Sequence, residues 1–150
     1  MKLTTQKDET LDNDYIDIKY RTLTPAIQQI FQICENASSI LLCEKDQETY
    51  QVDVHDILYI EWVDNQSCVY TKGDVFTIPT ALYQLEEALA PWCFIRVSKM
   101  TLVNIYKIDS IANGLNFRLT VKMANGEKVI VNRSYRSKLL TSINQLAKEV

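Results

Sequence analysis

The chain has 150 residues, of which 47% are hydrophobic and 23% are charged, so it is long enough for one domain with a real core. Three glycines and three prolines exclude collagen-like and low-complexity proteins. The sequence has no run of about 18 apolar residues and begins with a polar stretch. We therefore expect an intracellular, most simply cytoplasmic, protein with no membrane span and no secretory signal.

Charge is distributed very unevenly along the chain. Residues 1–95 contain 6 Lys and Arg against 16 Asp and Glu, whereas residues 96–150 contain 10 against 3. The net charge of −3 hides this basic final third. Such asymmetry favours a polyanionic partner, and nucleic acid is the commonest one.

The cysteine and histidine content argues against a metal site. Cys34, Cys43, Cys68 and Cys93 do not have the spacing of a zinc site, and His55 is the single histidine. We expect reduced, buried thiols and no cofactor. The sequence also has no Gly-rich phosphate loop and no nucleophile–base pair at a recognisable spacing, so we do not expect an enzyme.

The N-terminal part reads as a small strand–helix extension over residues 1–38. We predict disorder over residues 1–13. Apolar and charged residues alternate from Tyr15 to Arg21, which predicts a half-buried strand. A helix with Pro25 in its first turn then carries one apolar stripe and should end near Asn36. About 40 residues cannot hold a core alone, so this extension must pack on the rest of the chain or on a partner.

Short strands follow from residue 39 onward. Such regular spacing favours an antiparallel, β-rich α+β fold over βαβ units. Lys72, Gly73 and Asp74 predict a hairpin turn, and a helix begins at Pro79 and ends before Pro91. The predicted strands in this part are Ile40–Cys43, Glu48–Val54, Ile57–Trp62, Cys68–Thr71 and Val75–Ile78.

The basic final third contains three more predicted strands and a closing helix. Asn125 and Gly126 are the strongest two-residue hairpin signal in the chain. Apolar residues recur at helical spacing through Arg133–Lys148, which predicts an amphipathic helix. The predicted strands are Lys107–Ile111, Leu115–Met123 and Lys128–Val131.

Several of these segments, in this order and spacing, resemble the LytTR DNA-binding domain of bacterial transcription regulators. The internal helix also lies where that family places one. The residues that carry the resemblance are Asp56–Glu61, Phe94–Lys99, Leu102–Asn104, Ile108, Asn125, Gly126 and Val129–Tyr135.

The resemblance implies stacked antiparallel sheets with one internal and one C-terminal helix over residues 39–150. It implies a transcription regulator that reads double-stranded DNA through loops between strands. It also implies direct-repeat sites, usually bound by a homodimer, and no small-molecule substrate. The short N-terminal part resembles the stand-alone form without a receiver domain, whose genes are often paired with a small inhibitory membrane protein.

Two basic residues are the first candidates for DNA contact under this resemblance. Lys99 lies in a loop that the family aims at the major groove, where lysine can reach guanine O6 and N7. The alternatives are a phosphate contact or plain exposure. Arg133 follows the last strand, where the family commonly has a base-reading arginine. The alternative is a local ion pair at a helix start, although positive charge there opposes the helix dipole.

Polar residues near these loops are further candidates. Asn65, Gln66 and Ser67 resemble the family's first DNA-facing loop, or form a plain polar turn. Ser98 and Thr101 could donate to phosphates, although Thr101 could equally face the core.

Three further basic residues are open to two interpretations each. Arg136 and Lys138 are either phosphate contacts or solvated helix charges. Arg96 lies between two apolar strand residues, so it points away from both. It could pair with a carboxylate and brace the loop that carries Lys99, rather than touch DNA.

Two other classes of function remain open from the sequence. One is an RNA- or single-strand-binding β module that uses Tyr59, Trp62 and Tyr70 as stacking platforms, although core packing is commoner for such residues. The other is a protein-interaction module with a basic face.

Overall fold

The computed structural model describes residues 2–12, 16–34 and 39–147. It is a β-rich α+β fold with antiparallel sheets, as predicted. The described residues contain three α-helices and ten strands. The helices are α1 (Pro25–Cys34), α2 (Leu82–Leu89) and α3 (Arg136–Leu146). The ten strands are β1 (Ile40–Lys45), β2 (Glu48–Asp53), β3 (Ile57–Val63), β4 (Gln66–Thr71), β5 (Val75–Ile78), β6 (Phe94–Ser98), β7 (Thr101–Asn104), β8 (Ile108–Asn113), β9 (Leu119–Met123) and β10 (Lys128–Val131).

The strands form two antiparallel sheets. The larger sheet has seven strands in the order β2-β1-β5-β4-β3-β7-β6, and the smaller has three in the order β10-β9-β8. The sheets meet beside β6, where the backbone N–H of Asn132 donates to the carbonyl of Val97 at 2.9 Å. The end of β10 is therefore fixed next to the end of β6.

Two hydrophobic cores lie on opposite faces of the larger sheet. The first is covered by α2, whose Leu82, Leu85 and Leu89 are buried against it. The second lies between the two sheets and includes Leu139 of α3. These cores explain the near-continuous apolar runs of the central strands, because strands covered on both faces do not alternate.

Two-residue turns close several hairpins. Asp64 and Asn65 both have positive φ, at 50° and 62°, as a type I′ turn requires. The predicted Lys72–Asp74 turn is confirmed by the Thr71 N–H bond to the Asp74 carbonyl at 2.9 Å. The predicted hairpin at Asn125 and Gly126 is confirmed, but its loop has three residues, 124–126, instead of two. It is closed by the Met123 N–H bond to the Glu127 carbonyl at 2.8 Å, and Gly126 has a φ of +86°.

The same capped corner occurs twice between strands. After β2 the carboxylate of Asp53 accepts the backbone N–H of His55 at 2.9 Å. After β7 the amide oxygen of Asn104 accepts the backbone N–H of Tyr106 at 3.1 Å. Hydrogen bonds from His55, first from its backbone, lower the pKa of Asp53. Tyr106 occupies in the second corner the position that His55 occupies in the first. The backbone of His55 therefore serves to form the turn.

The prediction of a strand over Tyr15–Arg21 is wrong for its described residues. Residues 16–20 form no helix or strand, and Tyr15 lies outside the described residues. Apolar residues alternate there, but the segment pairs with no strand in the described part of the chain. The predicted helix is confirmed as α1, which packs against the turn Ala90–Trp92, but its expected end near Asn36 also falls outside the described residues.

Several other boundaries differ from prediction, including two in the basic final third. The strand predicted over Leu115–Met123 begins only at Leu119, because residues 115–118 form the tip of a hairpin. The closing helix begins with a 3-10 turn, Arg133–Tyr135, before α3, and Lys148 lies outside the described residues.

The cysteines follow the predicted pattern in part. All four are free thiols, and burial raises the pKa of the Cys43 thiol to about 11. Cys93 is also buried and Cys68 is half-buried, whereas Cys34 on α1 is exposed, which contradicts the expectation of burial for that residue.

Candidate nucleic-acid interface

Three connections lie at the same end of the sheets. The turn that joins β3 to β4 carries Asn65, the turn that joins β6 to β7 carries Lys99, and the segment after β10 carries Arg133. Antiparallel pairing of β3 with β4 and β7 places the first two turns side by side. The sequence-predicted residues are thus brought together from three separate parts of the chain.

Short backbone hydrogen bonds fix how these connections sit. The N–H of Trp62, near the end of β3, donates to the carbonyl of Met100 at 2.8 Å. The bond from Asn132 to Val97 fixes the start of the Arg133 segment next to the strand that leads to Lys99. The relative positions of the side chains at this end are therefore set by the sheets.

Lys99 stands at the tip of its turn. It is exposed, and the side-chain oxygen of the half-buried Ser98 accepts the backbone N–H of Met100 at 3.3 Å. The Ser98 hydroxyl hydrogen remains able to donate to another acceptor. Neither the Lys99 ammonium nor the Arg133 guanidinium has a hydrogen bond or ion pair within the described residues. The local ion pair considered for Arg133 is thus absent from that part of the chain.

Arg96 braces the Lys99 turn from within. Its Nε donates to Oε2 of Glu86 on α2 at 2.7 Å, and its Nη1 donates to the carbonyl of Lys99 at 2.5 Å. The side chain of Arg96 is only 15% exposed, so these charge-assisted bonds are shielded from water. The expectation that Arg96 pairs with a carboxylate and holds the loop is confirmed.

Arg136 holds a neighbouring loop. Its guanidinium donates to the carbonyl of Phe117 at 3.4 Å and to Oδ1 of Asn113 at 3.3 Å. Both bonds are long, and the side chain is half-buried. Arg136 therefore joins the start of α3 to the β8–β9 hairpin, a role that neither sequence-based interpretation included. Lys138, two residues further along α3, is exposed.

The polar candidates divide into exposed and buried residues. Asn65 is exposed at its turn and Gln66 is half-buried at the start of β4. Ser67 is fully buried, and its hydroxyl donates to the Thr80 carbonyl at 2.8 Å. Thr101 is also buried, in β7 between two neighbouring strands. Since neither buried hydroxyl can reach a phosphate, the structure removes Ser67 and Thr101 from the site.

The sequence analysis missed Arg118 and the hairpin tip before it. Arg118 is exposed and directly follows the residues that Arg136 holds. The predicted strand over this region obscured it, although Gly114 and Asn116 are turn-forming residues and could have revealed the tip.

Electrostatics at this end are predominantly positive. Arg118, Arg133 and Arg136 lie around the start of α3, and Lys99 lies on the adjoining turn. Asp64 is exposed beside Asn65 and carries the opposite charge. Apart from Asp64, the charged side chains named here are therefore cationic.

The aromatic residues considered for base stacking are occupied by the fold. Tyr59 is buried and stacks on Tyr70, with ring centroids 4.4 Å apart and planes 15° apart. Burial, first of all, raises the pKa of Tyr70 to about 12. Trp62 packs partly buried against the first core. These rings offer no free platform for single-stranded bases.

Comparison with known proteins identifies the same part of the chain. Residues 47–144 match the family profile described as the LytTr DNA-binding domain. A solved LytTr DNA-binding domain from a methyl-accepting/DNA response regulator of Bacillus cereus has a similar fold. It superposes with a TM-score of 0.65 at 27% identity, covering 69% of this chain and 97% of that domain.

Similar curated proteins carry regulatory names. A protein of Staphylococcus aureus (strain NCTC 8325), named as an HTH-type transcriptional regulator, is 29% identical over 130 residues. The alignment covers 83% of this chain and 87% of that protein. The sensory transduction protein LytT of Bacillus cereus is 32% identical over 88 residues, which cover 59% of this chain and 36% of LytT.

The Arg96 brace leads to a stability prediction. Replacing Arg96 by Met keeps the aliphatic packing but removes both hydrogen bonds and leaves Glu86 unpaired. We expect Arg96→Met to lower the free energy of unfolding by about 1–3 kcal/mol in urea titrations. Lys99→Met is the matched control, because its side chain is exposed and free of such bonds, and should change that free energy by less than about 0.5 kcal/mol. Equal effects of the two substitutions would contradict the brace.

Proposed function

Because the chain belongs to the LytTr DNA-binding domain family, we propose that it is a transcription regulator that recognises specific double-stranded DNA sequences. One observation carries the proposal: Lys99 and Arg133, from separate segments, lie exposed at the same end of the sheets and have no ionic partner among the described residues. An unpaired cation pair held by rigid strands is suited to an anionic partner. The proposal implies action in the compartment that holds the DNA, which in a bacterium is the cytoplasm.

The reading elements in this proposal are loops at strand ends. In the described part of the chain, strands separate α1, α2 and α3 from one another, so no helix–turn–helix pair forms there. The term "HTH-type" in the names of relatives is thus not matched by this fold. Asn65, Lys99 and Arg133 instead extend from turns that the sheet registers hold in place.

The start of α3 supports phosphate binding. It has no side-chain cap and no acidic residue in its first turn, and Arg133 and Arg136 lie there. The helix dipole favours an anion at this position. A DNA phosphate would supply the negative charge that the first turn of α3 lacks. Arg133 would then reach past this phosphate to guanine O6 and N7.

Two copies bound to a direct repeat would fit this interface. We propose that each copy covers one half-site and that the half-sites lie about 10–10.5 base pairs apart, so that both copies approach the same face of the duplex. We propose a homodimer for this arrangement, because the loops at the end of the sheets in one copy contact only a short DNA site.

The decisive test is selection from a randomised duplex pool at two salt concentrations, followed by sequencing of the retained DNA. We expect an enriched pair of direct repeats, with log K falling by about 0.9 per neutralised phosphate for each unit of log salt. Retention without any enriched sequence would contradict sequence-specific regulation. Preference for RNA or single strands over duplex would overturn the proposal altogether.

Substitutions at the two exposed cations test their roles. We expect Lys99→Ala and Arg133→Ala each to weaken binding to the selected duplex by about 1–3 kcal/mol in a titration. A base-reading residue also relaxes preference at one position, whereas a phosphate contact weakens all sequences equally and reduces the salt slope by about 1.

The control is Lys72→Ala, since Lys72 is exposed in the β4–β5 turn at the opposite end of the sheet. If the Lys99 or the Arg133 variant binds DNA as tightly as the Lys72 control does, the residue replaced in that variant does not belong to the interface.

The N-terminal extension is proposed to serve self-association or a partner. Ile16 and Ile33 are 69% and 74% exposed, although α1 itself packs against the turn Ala90–Trp92. Exposed apolar side chains on a packed segment favour a further protein contact. The candidates are a second copy and a small inhibitory membrane protein.

Deleting residues 1–38 tests this role of the extension. We expect the deletion to change the mass measured by light scattering, the DNA affinity, or both, since it removes these apolar side chains. A second variant, Ile33→Ser, removes one of these apolar side chains but keeps α1, and it should reproduce part of the change. An unchanged mass together with unchanged affinity would contradict the proposal for the extension.

A further inference from the structure

The hairpin that joins β8 to β9 ends in two exposed apolar side chains. Leu115 is 87% exposed and Phe117 is 73% exposed. The hairpin is closed by the Gly114 N–H bond to the Arg118 carbonyl at 2.8 Å and by the Arg118 N–H bond to the Leu115 carbonyl at 3.2 Å. We call residues 115–118 the hairpin tip. Its backbone is ordered by hydrogen bonds while its apolar side chains contact little of the protein.

The backbone of the hairpin tip is unfavourable for phenylalanine. Asn116 and Phe117 have φ of 57° and 61°, the left-handed values required by a two-residue turn that matches the twist of its strands. Asn tolerates this region, but a bulky side chain rarely adopts it, and Gly is preferred at the second position. Phe117 is therefore strained and exposed at once, which is a combination that marks functional sites.

The hairpin tip is anchored to the proposed DNA-binding surface. Arg136 at the start of α3 donates to the Phe117 carbonyl at 3.4 Å and to Oδ1 of Asn113 at 3.3 Å. Arg133 lies three residues before Arg136, and Arg118 belongs to the tip itself. The apolar side chains are consequently set among arginines.

Charge selects the class of partner. Residues 110–126 and 128–147 contain no Asp or Glu, and they include Arg118, Arg133, Arg136 and Lys138. The two acidic residues that adjoin these ranges, Asp109 and Glu127, lie at the opposite end of the smaller sheet, next to the Asn125–Gly126 turn. An apolar tip surrounded by cations fits bases flanked by phosphates, because the cations neutralise the phosphates while the ring meets the apolar base surface.

We infer that Phe117, supported by Leu115, forms an apolar contact with bases of the same DNA, next to a phosphate bound by Arg118 and the base edge contacted by Arg133. This inference rests on the proposed function and adds a contact that is neither a salt bridge nor a base-edge hydrogen bond. Apolar base surface is offered by the thymine 5-methyl group in the major groove and by an opened base step. The contact adds to the binding free energy an apolar contribution that salt does not screen.

Phe117→Gly is the most informative substitution because it removes the ring and relieves the backbone. Glycine after Asn116 gives the preferred two-residue turn, so the thermal midpoint should stay the same or rise by a few degrees. A loss of binding in this variant thus cannot be attributed to unfolding. We expect its affinity for the duplex selected by the wild type to fall about tenfold, with the salt slope unchanged.

Two modified forms of that duplex distinguish the sources of the apolar surface. Uracil in place of thymine removes the methyl groups, and 2-aminopurine reports the loss of base stacking through its fluorescence. The wild type should either lose affinity at one uracil or raise the fluorescence at one step, and Phe117→Gly should do neither. Tyr83→Ala is the control, since Tyr83 is an aromatic side chain 66% exposed on α2, and it should bind as the wild type does.

The inference is overturned if Phe117→Gly binds the duplex as tightly as the wild type does. It is also overturned if affinity falls while the uracil and 2-aminopurine responses stay those of the wild type. Failure of the wild type to retain any duplex would instead overturn the proposed function, so the two failures are distinguishable.

Discussion

Strand β7 is buried on both faces and hydrogen-bonded along both edges. All four of its residues are buried, with Leu102 in the first core and Val103 in the second. It pairs with β3 on one edge and with β6 on the other. A one-residue slip would exchange the two faces and place Leu102 in the wrong core, so the register has a single solution. The position of the Lys99 turn, which directly precedes β7, follows from that register.

The brace on this turn extends the constraint from backbone to side chain. Arg96 on β6 reaches Glu86 on α2 and the carbonyl of Lys99, so the helix that covers the first core also holds the loop. Asn104 completes the other end of β7, where its side-chain amide donates to the Ile57 carbonyl at 2.9 Å. Packing in both cores and pairing at both ends of one strand thus support a turn whose own cation, Lys99, has no partner in the part of the chain that the structure describes.

Much of this fold was predictable from sequence because its signals are local. Hydrophobic runs bounded by turn residues located most strands, and the Asn125–Gly126 turn was read directly. The Arg96 brace was predictable from its place between two apolar strand residues. Ser67 and Thr101 were not, because their burial depends on tertiary contacts: Ser67 reaches the Thr80 carbonyl thirteen residues away. Alternation over residues 16–20 was misleading, since a strand also needs a neighbouring strand with which to pair.

The exceptions to local rules collect at one end of the molecule. The start of α3 carries cations where its dipole favours anions, Lys99 and Arg133 have no ionic partner within the described residues, and Phe117 occupies a left-handed backbone position in solvent. The first two exceptions each reduce the stability of the fold by about 1 kcal/mol or less, because they lie at exposed sites. The left-handed backbone of Phe117 reduces it by about 1–2 kcal/mol. Phosphates would neutralise the first two, and bases would bury the ring of the third. Double-stranded DNA is anionic at its phosphates and apolar on its base surfaces, so binding to it would remove these unfavourable contributions together.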